Sequence, residues 1–488
     1  MGTNILWQVI SSHSIPSREL FFHSQVRSLK HLRASIPLLC VFILALLIRL
    51  LYNLIVAQRY FAQYDAALYN HIAYNIAYHH CFCLYPNQPT LSRPPLWPFI
   101  LSIFYFLSPQ GNPQLIDAGQ QVFYGRLLFS FIGSITCVLV YLLAKKLFGI
   151  RIALMSGVFA AIYPGLFIYD GWLYTETLYT FLLTAFLYSL FRLQTTTRRK
   201  WIIMSGLFLG LTTLTRPNGP ILFCMLLLWC FTIIVAKVLS WKTVIKNILA
   251  ITGIAAMLIV PWTYRNYLVS HAFIMVSIGE GEVLLGSYNE NVLRGNTGLW
   301  TSPRFIIPRP DVPPMALNSH DTKGYTPEDD KIATDYALHW MMAHWRDMPR
   351  LLSYHWLSMW SSYTNDNNLP YRQYPLQLPS EVVGYMILFM PPPVFLLAII
   401  GLLVTWSRYK KQLIVVYFAI GLTIVQNLLF YGSMRFRAPI EPLLILLASA
   451  ALWWLICDAP GTLRNRRKQN KLQLLSTTLP SESVFEQT

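Results

Sequence analysis

Long apolar runs, separated by short polar segments, follow one another along most of the 488-residue chain. Most of these runs are long enough to cross a hydrocarbon core of about 30 Å as α-helices. The sequence therefore predicts an all-α polytopic membrane protein with about ten spans. The predicted spans are 36–58, 119–144, 150–169, 174–193, 201–215, 219–236, 244–262, 382–405, 412–431 and 438–457.

Two segments after the first span depart from this pattern. Residues 59–95 are predicted to form an outward loop, in which apolar residues recur at helical spacing from Leu68 to Ile76. This spacing predicts a short interfacial helix with Asp65 as its N-cap. The next run, 96–108, is apolar but too short for a crossing, so we expect it to lie in the interface or to re-enter.

The segment 263–380 is polar and holds many of the acidic residues together with several prolines. We therefore expect an outward domain of about 115 residues, α-rich or mixed in structure. A helix is predicted to begin near Thr326, because a threonine N-cap is followed by Pro327 in the first turn. No known motif was found in this domain, and we expect it to shape the choice of acceptor.

Polar, basic tails flank the membrane part of the chain. Residues 1–35 precede the first span, which no small-residue cleavage site follows, so we expect a signal anchor rather than a removed signal peptide. The membrane part is divided by the outward domain into an N-terminal module, 36–262, and C-terminal helices, 381–457. The tail 458–488 is also basic, and both termini are expected in the cytoplasm.

The composition supports this organisation. The chain is 55% hydrophobic and 12% charged, whereas soluble domains carry about 25% charged residues. Its net charge of +17 could suggest nucleic-acid binding. In a polytopic protein, however, excess lysine and arginine first mark the loops that stay in the cytoplasm. We therefore expect no nucleic-acid partner.

Lysine and arginine are distributed differently in the predicted topology. Outside the large outward domain, every lysine falls on the cytoplasmic side. Arginines alone occupy the outward loops and outer span ends, against the usual bias of positive charge. Arginine grips phosphate in a fork geometry, but it can also extend along a span to the lipid headgroups. The outer arginines are Arg49, Arg59, Arg93, Arg126, Arg216, Arg435 and Arg437.

We interpret these arginines in two groups. For Arg49, Arg59 and Arg126, extension to the headgroups is the expected role. Arg93 and the pair Arg435 and Arg437 are predicted to bind an anionic ligand, because arginine suits planar, bidentate recognition of phosphate.

Few acids lie in the short outward loops and outer span ends. Asp65 could cap a helix, and Glu176 could interact with a helix macrodipole at the start of a span. Asp117 and Asp170 are expected to be structural. Glu441 lies four residues after Arg437, a spacing that predicts an ion pair. A carboxylate beside arginines at the outer face could also orient an acceptor hydroxyl while the arginines hold a departing lipid phosphate.

The seven cysteines give little indication of function. Five lie in apolar runs and are expected to be small core residues. Cys81 and Cys83 lie two residues apart in the outward loop, where either a strained bridge or two free thiols is expected. No zinc-ligand spacing is present.

Seven short motifs together resemble the GT-C glycosyltransferases, specifically the family 39-like group of bacterial protein O-mannosyltransferases and lipid A aminoarabinose transferases. Each motif is weak alone, but their order and spacing are specific. The resemblance covers about residues 40–270 and 385–457. The motifs are 65–69 (DAALY), 93–98 (RPPLWP), 144–149 (AKKLFG), 173–178 (LYTETL), 214–219 (LTRPNG), 261–266 (PWTYRN) and 435–439 (RFRAP).

The resemblance implies an inverting transfer of one sugar from a polyprenyl-phosphate carrier to a protein, lipid or glycan acceptor at the outer face. Asp65 and Glu176 match the two catalytic acids, and Arg93 matches the residue that binds the carrier phosphate. No metal or other cofactor is implied, and Ala66 stands where many relatives have glutamate beside the first acid. The predicted substrate-binding set also includes Tyr69, Arg216, Arg435 and Arg437.

Other functions remain open from the sequence. An oligosaccharide transferase or O-antigen ligase would usually need a metal-binding acid cluster, which the first loop lacks. A flippase or transporter of lipid-linked sugars would place charges near mid-span and often show two related halves. A purely structural assembly protein is a further alternative. We expect a multi-pass protein of the bacterial inner membrane, part of the cell envelope, with neither the sugar nor the acceptor specified.

Overall fold

The computed structural model describes residues 35–107, 117–196, 198–295, 300–301, 325–362, 369–373 and 378–458. The predicted cytoplasmic tails lie outside these residues, apart from Ser35 and Asp458. Within them the chain is mostly helical, as the sequence predicted. A small antiparallel hairpin, β1 (Cys83–Tyr85) and β2 (Gln88–Pro89), interrupts the helices, with Cys83 opposite Pro89.

The helices are grouped by the predicted segments in which they fall, and this division stays a prediction. The first module contains α1 (Ser35–Val56), α2 (Asp65–His79), α3 (Leu96–Phe106), α4 (Gln120–Phe148), α5 (Ile150–Ile162), α6 (Pro164–Gly171), α7 (Glu176–Thr196), α8 (Arg199–Thr213), α9 (Pro220–Val235) and α10 (Trp241–Ser270). The outward domain contains α11 (Glu280–Ser287), α12 (Glu290–Gly295), α13 (Pro327–Ala343) and α14 (Met348–Trp360). The remaining helices are α15 (Leu378–Phe389), α16 (Pro391–Leu429), α17 (Met434–Arg437) and α18 (Glu441–Trp453).

Fewer helices than the ten predicted spans are long and apolar enough to cross a membrane by themselves. Among the described residues there are five, or six when α5 and α6 are joined across their 58° bend. The predicted spans at α7, α8 and α9 contain helices of 21, 15 and 16 residues. Helix α3 has 11 residues and a length of about 17 Å, so it is too short to cross, as expected.

Helix α16 covers two predicted spans in 39 residues. The hydroxyl of Thr405 lies 2.9 Å from that of Tyr417, and the Trp406 and Tyr417 ring centroids are 5.4 Å apart. Twelve residues of straight helix would separate these groups by about 18 Å. The chain therefore bends back on itself between Thr405 and Tyr417, where a cytoplasmic turn was predicted.

Helix α7 lies at the centre of the bundle and is buried along most of its length. Its Ser189 hydroxyl accepts a 2.9 Å hydrogen bond from Ser205 of α8, and Gln194 donates to the Lys411 carbonyl at 3.0 Å. Glu176 begins the helix at the opposite end, about 27 Å away at 1.5 Å per residue. The two ends of α7 are thus separated by roughly the thickness of a hydrocarbon core, about 30 Å.

A buried ion pair joins α1 to α6. Arg49 Nε lies 2.6 Å from Asp170 Oδ2, and both side chains are almost fully enclosed. Thr177 donates a further hydrogen bond to Asp170 at 2.7 Å. Gly133 of α4 makes room for the pair, because a Cβ there would lie 2.5 Å from Asp170 Oδ2. The expectation that Arg49 extends to the headgroups was therefore wrong, since a carboxylate satisfies it inside the bundle.

Arg126 is also buried, contrary to the expectation that it reaches the headgroups. Its Nη2 donates to Asn53 Oδ1 and to the Ala57 carbonyl, both at 2.7 Å, and its guanidinium lies over the Tyr60 ring. Neutral acceptors from the end of α1 thus hold this arginine. Arg59, by contrast, is exposed, so its predicted contact with headgroups stays a prediction.

The helices of the predicted outward domain contact the membrane helices. Helix α10 continues to Ser270, eight residues beyond the predicted span. Helix α13 begins as predicted: Thr326 caps it in a reciprocal capping box with Asp329, and proline occupies the first turn. Tyr288 donates a 2.6 Å hydrogen bond to the Leu429 carbonyl, which joins the domain to the end of α16.

Helix α2 confirms the predicted helix in the outward loop, but its N-cap is Tyr64 rather than Asp65. Asp65 is the first helical residue and is available for other contacts. At the other end, Asn75 donates to the carbonyls of Cys83 and Leu84 at 3.0 and 2.9 Å, which fixes the β-hairpin against the helix. Cys81, which precedes the hairpin, forms a disulfide with Cys83 of β1.

Breaking the buried pair between Arg49 and Asp170 should destabilise the fold. We expect Asp170→Ala to lower the free energy of unfolding by about 3–5 kcal/mol, because Arg49 would stay buried without its counter-ion. The measurement is thermal unfolding of the purified protein in detergent, with the exposed Asp335→Ala as control, expected within about 0.5 kcal/mol of wild type. Equal unfolding temperatures for Asp170→Ala and wild type would contradict this role.

Candidate active site

Asp65 and Arg93 meet at the start of α2. Arg93 Nη2 lies 2.8 Å from Asp65 Oδ1, although 28 residues separate them in the chain. The β-hairpin between them returns the chain to the start of α2. Arg265 of α10 holds this connection by donating to the carbonyls of Thr90 and Phe82 at 2.8 and 3.1 Å. The loop and α10 together therefore place the guanidinium against the carboxylate.

Arg435 connects Asp65 to the second predicted acid. Its Nη2 lies 3.0 Å from Asp65 Oδ2, and its Nε contacts Glu176 Oε1. The guanidinium lies 4.1 Å from the centroid of the Tyr174 ring. The Ser433 hydroxyl accepts a hydrogen bond from the Arg435 amide and fixes the start of α17. Arg435 thus joins the start of α2 to the start of α7.

Arg216 completes the group from the turn between α8 and α9. Its Nη2 lies 2.5 Å from Glu176 Oε1, and its Nε donates to the Thr175 hydroxyl at 3.1 Å. The Tyr179 ring lies 5.1 Å from the guanidinium. The turn between α8 and α9 therefore carries a buried arginine to the first turn of α7.

These five side chains form one connected network, which we call the arginine–carboxylate network. Three guanidiniums and two carboxylates give it a net charge of +1. The network is accessible on one side only: the Asp65 side chain is 30% exposed and those of Arg435 and Arg93 are 22% and 20% exposed. Glu176 is completely buried. The network can therefore bind an anion from the Asp65 side. On its buried side, Glu176 fixes Arg216 and Arg435.

Ionisation within the network favours charged arginines beside neutral phenols. Burial alone would lower the pKa of Arg93, but the Asp65 carboxylate, together with Tyr69 and Glu282, raises the pKa above its usual value. Burial raises the pKa of the Tyr69 phenol, and the charge of Asp65 raises it further. Burial also raises the pKa of Tyr431 to about 12. Both tyrosines therefore stay protonated and can donate hydrogen bonds near the carboxylates.

Arg437 does not join the other predicted substrate-binding residues. It is fully buried, and its Nε lies 2.6 Å from Glu441 Oε1, which confirms the ion pair predicted from their spacing. Its Nη1 donates to the carbonyls of Met359 and Ser361 at the end of α14. Tyr163 donates to the other carboxylate oxygen of Glu441 at 3.1 Å. This second ion pair fastens α17 and α18 to the outward domain.

Asp117, expected to be structural, lies apart from the network. It accepts hydrogen bonds from Asn70 and contacts His71 at 3.0 Å on the far side of α2.

Three residues near the network were missed from the sequence. Tyr174 supports Arg435, and Tyr431 lies close enough for the charge of Arg435 to act on its phenol. Glu282 of the outward domain lies close enough for its charge to act on Arg93. Tyr174 immediately precedes Thr175 and Glu176 and could have been found within its motif, but nothing in the sequence connects Glu282 to Arg93.

Comparison with known proteins gives two findings. Residues 92–264 match the family described as dolichyl-phosphate-mannose-protein mannosyltransferase. No curated protein matches the chain. The matched segment contains Arg93, Glu176 and Arg216.

Solved structures give a wider likeness in fold. An oligosaccharyltransferase of Archaeoglobus fulgidus, AglB, in complex with an inhibitory peptide and a dolichol-phosphate, has a TM-score of 0.51 at 13% identity. The likeness covers 93% of this chain and 53% of that protein, so this chain spans about half the oligosaccharyltransferase. ArnT of Cupriavidus metallidurans bound to undecaprenyl phosphate is similar at 13% identity with a TM-score of 0.41, over 86% of this chain and 78% of ArnT.

The resemblance predicted from the sequence motifs is confirmed by the family match and by the fold. The chain is a membrane protein with the GT-C fold of glycosyltransferases, and its residues 92–264 match the dolichyl-phosphate-mannose-protein mannosyltransferase family.

Proposed function

We propose that this protein transfers a single sugar from a polyprenyl-phosphate carrier to an acceptor at the extracytoplasmic face. The observation that carries the proposal is the arginine–carboxylate network, which has a net charge of +1 and is exposed on the Asp65 side. Guanidiniums recognise phosphate oxygens in a fork geometry, and a carboxylate can accept the proton of an attacking hydroxyl. The network contains both kinds of group within hydrogen-bonding distance of each other.

The position of the network along α7 supports an extracytoplasmic site. Glu176 begins this helix, and Gln194 near its other end contacts the carbonyl of Lys411. Lysines and arginines are frequent at that second end, among them Arg198, Arg199 and Lys200. Since basic loops mark the cytoplasmic side, the network belongs at the opposite face of a bacterial inner membrane. Both termini would then be cytoplasmic.

The charge of the network favours a monophosphate carrier. A sugar linked through one phosphate forms a phosphodiester with a single negative charge, which the net charge of +1 would neutralise. A sugar linked through diphosphate carries about twice that charge. A carrier with one phosphate is the donor type that we expect for transfer of a single sugar, whereas a diphosphate donor would fit an oligosaccharide.

In the proposed reaction, the carrier phosphate takes the place of Asp65 as the partner of Arg93. The freed Asp65 carboxylate accepts the proton of the acceptor hydroxyl. The hydroxyl oxygen forms a bond to the anomeric carbon, while the bond from that carbon to the phosphate oxygen breaks. Both electrons of the broken bond stay on the polyprenyl phosphate, which Arg93 and Arg435 stabilise. A single displacement of this kind inverts the anomeric configuration.

Glu176 has a different role in this proposal from the catalytic one expected from the resemblance. Its carboxylate is fully buried and contacts Arg216 and Arg435, so an acceptor cannot reach it without displacing both arginines. We assign it as a positioning residue that fixes the two guanidiniums and partly offsets their charge. Asp65 is the carboxylate that an acceptor can reach.

Transfer of an oligosaccharide is the second candidate, because the fold likeness is to an oligosaccharyltransferase. The likeness covers only 53% of that protein, so its activity does not transfer directly to this chain. A flippase for lipid-linked sugars is a third candidate, which the sequence also left open. A flippase would bind the carrier without cleaving the bond between sugar and phosphate. Whether the donor is cleaved therefore distinguishes a flippase from a transferase of a single sugar or of an oligosaccharide.

Replacing Asp65 should abolish transfer without preventing donor binding. We expect Asp65→Asn to lower kcat by about 10²–10⁴-fold, because the amide cannot accept the acceptor proton. The measurement is release of label from radiolabelled polyprenyl-phosphate mannose, glucose and pentose by purified protein with acceptor extracts. Asp117→Asn is the control, since Asp117 bonds to Asn70 and His71 of the same helix.

Full activity of Asp65→Asn would overturn the assignment of Asp65. Consumption of diphosphate-linked oligosaccharide, with none of the monophosphate donors, would favour the second candidate. Label that changes leaflet in vesicles while the sugar bond stays intact would favour a flippase.

Replacing Arg93 should chiefly weaken donor binding. Loss of a hydrogen bond between charged groups costs about 1.5–3 kcal/mol, so we expect Arg93→Ala to raise the KM for the donor by roughly 10–150-fold. The measurement is initial rates at varied donor concentration, with the exposed Arg59→Ala of the same loop as control. A kcat loss at unchanged KM would show that Arg93 acts only in the transition state.

A further inference from the structure

Arg435 connects Asp65 directly to Glu176 in the network. Its Nη2 is 3.0 Å from Asp65 Oδ2 and its Nε contacts Glu176 Oε1. Two carboxylates from distant segments that converge on one cation form an arrangement that a divalent metal ion often occupies. Here the cation is a side chain of the protein.

We propose that the Arg435 guanidinium serves as a built-in cation in place of a divalent metal, holding the two carboxylates together and facing the carrier phosphate. This inference rests on the proposed function and deepens it. Of the three nitrogens of the guanidinium, Nε and Nη2 face the carboxylates. The third, Nη1, is left to donate to a phosphate oxygen.

The surroundings of Arg435 fix its guanidinium rigidly. The Tyr174 ring lies against the guanidinium, and the Trp172 ring stacks on Tyr174 with centroids 3.9 Å apart. The Ser433 hydroxyl accepts a hydrogen bond from the Arg435 amide at 3.2 Å. A planar, delocalised cation suits such a stacked position, whereas a lysine ammonium is a point charge that cannot present two separate edges.

The charges and ligands around this position do not fit a metal ion. Glu176 already contacts two guanidiniums, and Asp65 contacts two, so neither carboxylate lacks a counter-ion. Across the described ranges, no group of three or more histidine, cysteine, aspartate or glutamate residues is placed to hold a metal. A divalent ion would raise the net charge of the network from +1 to +3. The guanidinium therefore takes the bridging role that a metal would have.

Removal of the side chain should convert the bridge into a metal site. We expect Arg435→Ala to leave two carboxylates facing a gap of the size of a guanidinium, and Mn²⁺ to bind there. The measurement is Mn²⁺ binding by electron paramagnetic resonance, which does not depend on activity. Wild type and the exposed Arg350→Ala should show no such site. The double variant Arg435→Ala, Glu176→Gln should lose the site that Arg435→Ala gains.

Activity provides the second readout. We expect wild-type transfer to be unchanged by EDTA, and transfer by Arg435→Ala to fall by about 100-fold or more. Methylguanidinium or Mn²⁺ should restore part of the loss in Arg435→Ala only, and Arg435→Lys should stay impaired. Arg435→Gln, which keeps a shorter but polar and uncharged side chain at this position, serves as a folding control by its unfolding temperature.

The results separate this inference from the proposed function. Mn²⁺ binding to wild type at these carboxylates, or no gain of a site in a folded Arg435→Ala, would overturn the inference. Loss of wild-type transfer in EDTA with recovery in Mn²⁺ would also overturn it, while leaving the glycosyltransferase assignment intact. A wild-type protein that cleaves no carrier, yet shows the expected Mn²⁺ pattern, would overturn the proposed function and not the inference.

Discussion

Pairing between guanidinium and carboxylate groups, away from water, is the interaction on which this structure depends. An isolated charge inside an apolar bundle is costly, so each buried charge needs a partner placed by another segment. Arg49 with Asp170 connects α1 to α6, and Arg437 with Glu441 connects the C-terminal helices to α14. In both cases the pair joins elements that are remote in sequence and fixes their relative position.

The arginine–carboxylate network uses the same interaction in a partly exposed place. Glu176 is enclosed, whereas Asp65 and Arg93 are reached from outside. The buried side resists rearrangement because separating its charges would leave them unpaired in a low dielectric. The exposed side can exchange one anion for another at lower cost. This difference in burial lets one network both hold its shape and accept a phosphate.

The fold brings the network together from five places. Asp65 begins α2, Arg93 ends the hairpin loop and Glu176 begins α7, while Arg216 lies in the turn between α8 and α9 and Arg435 lies in α17. Two of these residues stand at the first position of a helix, where backbone N–H groups point outward and favour a negative charge. Arg265 and the hairpin fix the loop that carries Arg93, and the ion pair of Arg437 fixes α17, which carries Arg435. Residues outside the network thus position its arginines.

The sequence alone determined the class of the protein and identified all five residues of the network as candidates. Long apolar runs can satisfy their backbone groups in a membrane only as helices or closed barrels, so they predicted a helical bundle. Scarce outer acids and lysine-free outer loops drew attention to Asp65, Glu176, Arg93, Arg216 and Arg435. The spacing of Arg437 and Glu441 predicted their ion pair, because four residues place both on one helical face.

Only the tertiary structure decided which of the outer charges share partners. Like Arg93, Arg49, Arg126 and Arg437 were predicted in outward loops or at outer span ends. In the structure, however, these three are buried against a carboxylate or backbone carbonyls. The bridge from Asp65 to Glu176 through Arg435 likewise depends on α2, α7 and α17 meeting at one point. Local sequence sets which residue types are available. Long-range packing sets which charges are desolvated together, and that is why it decides the site.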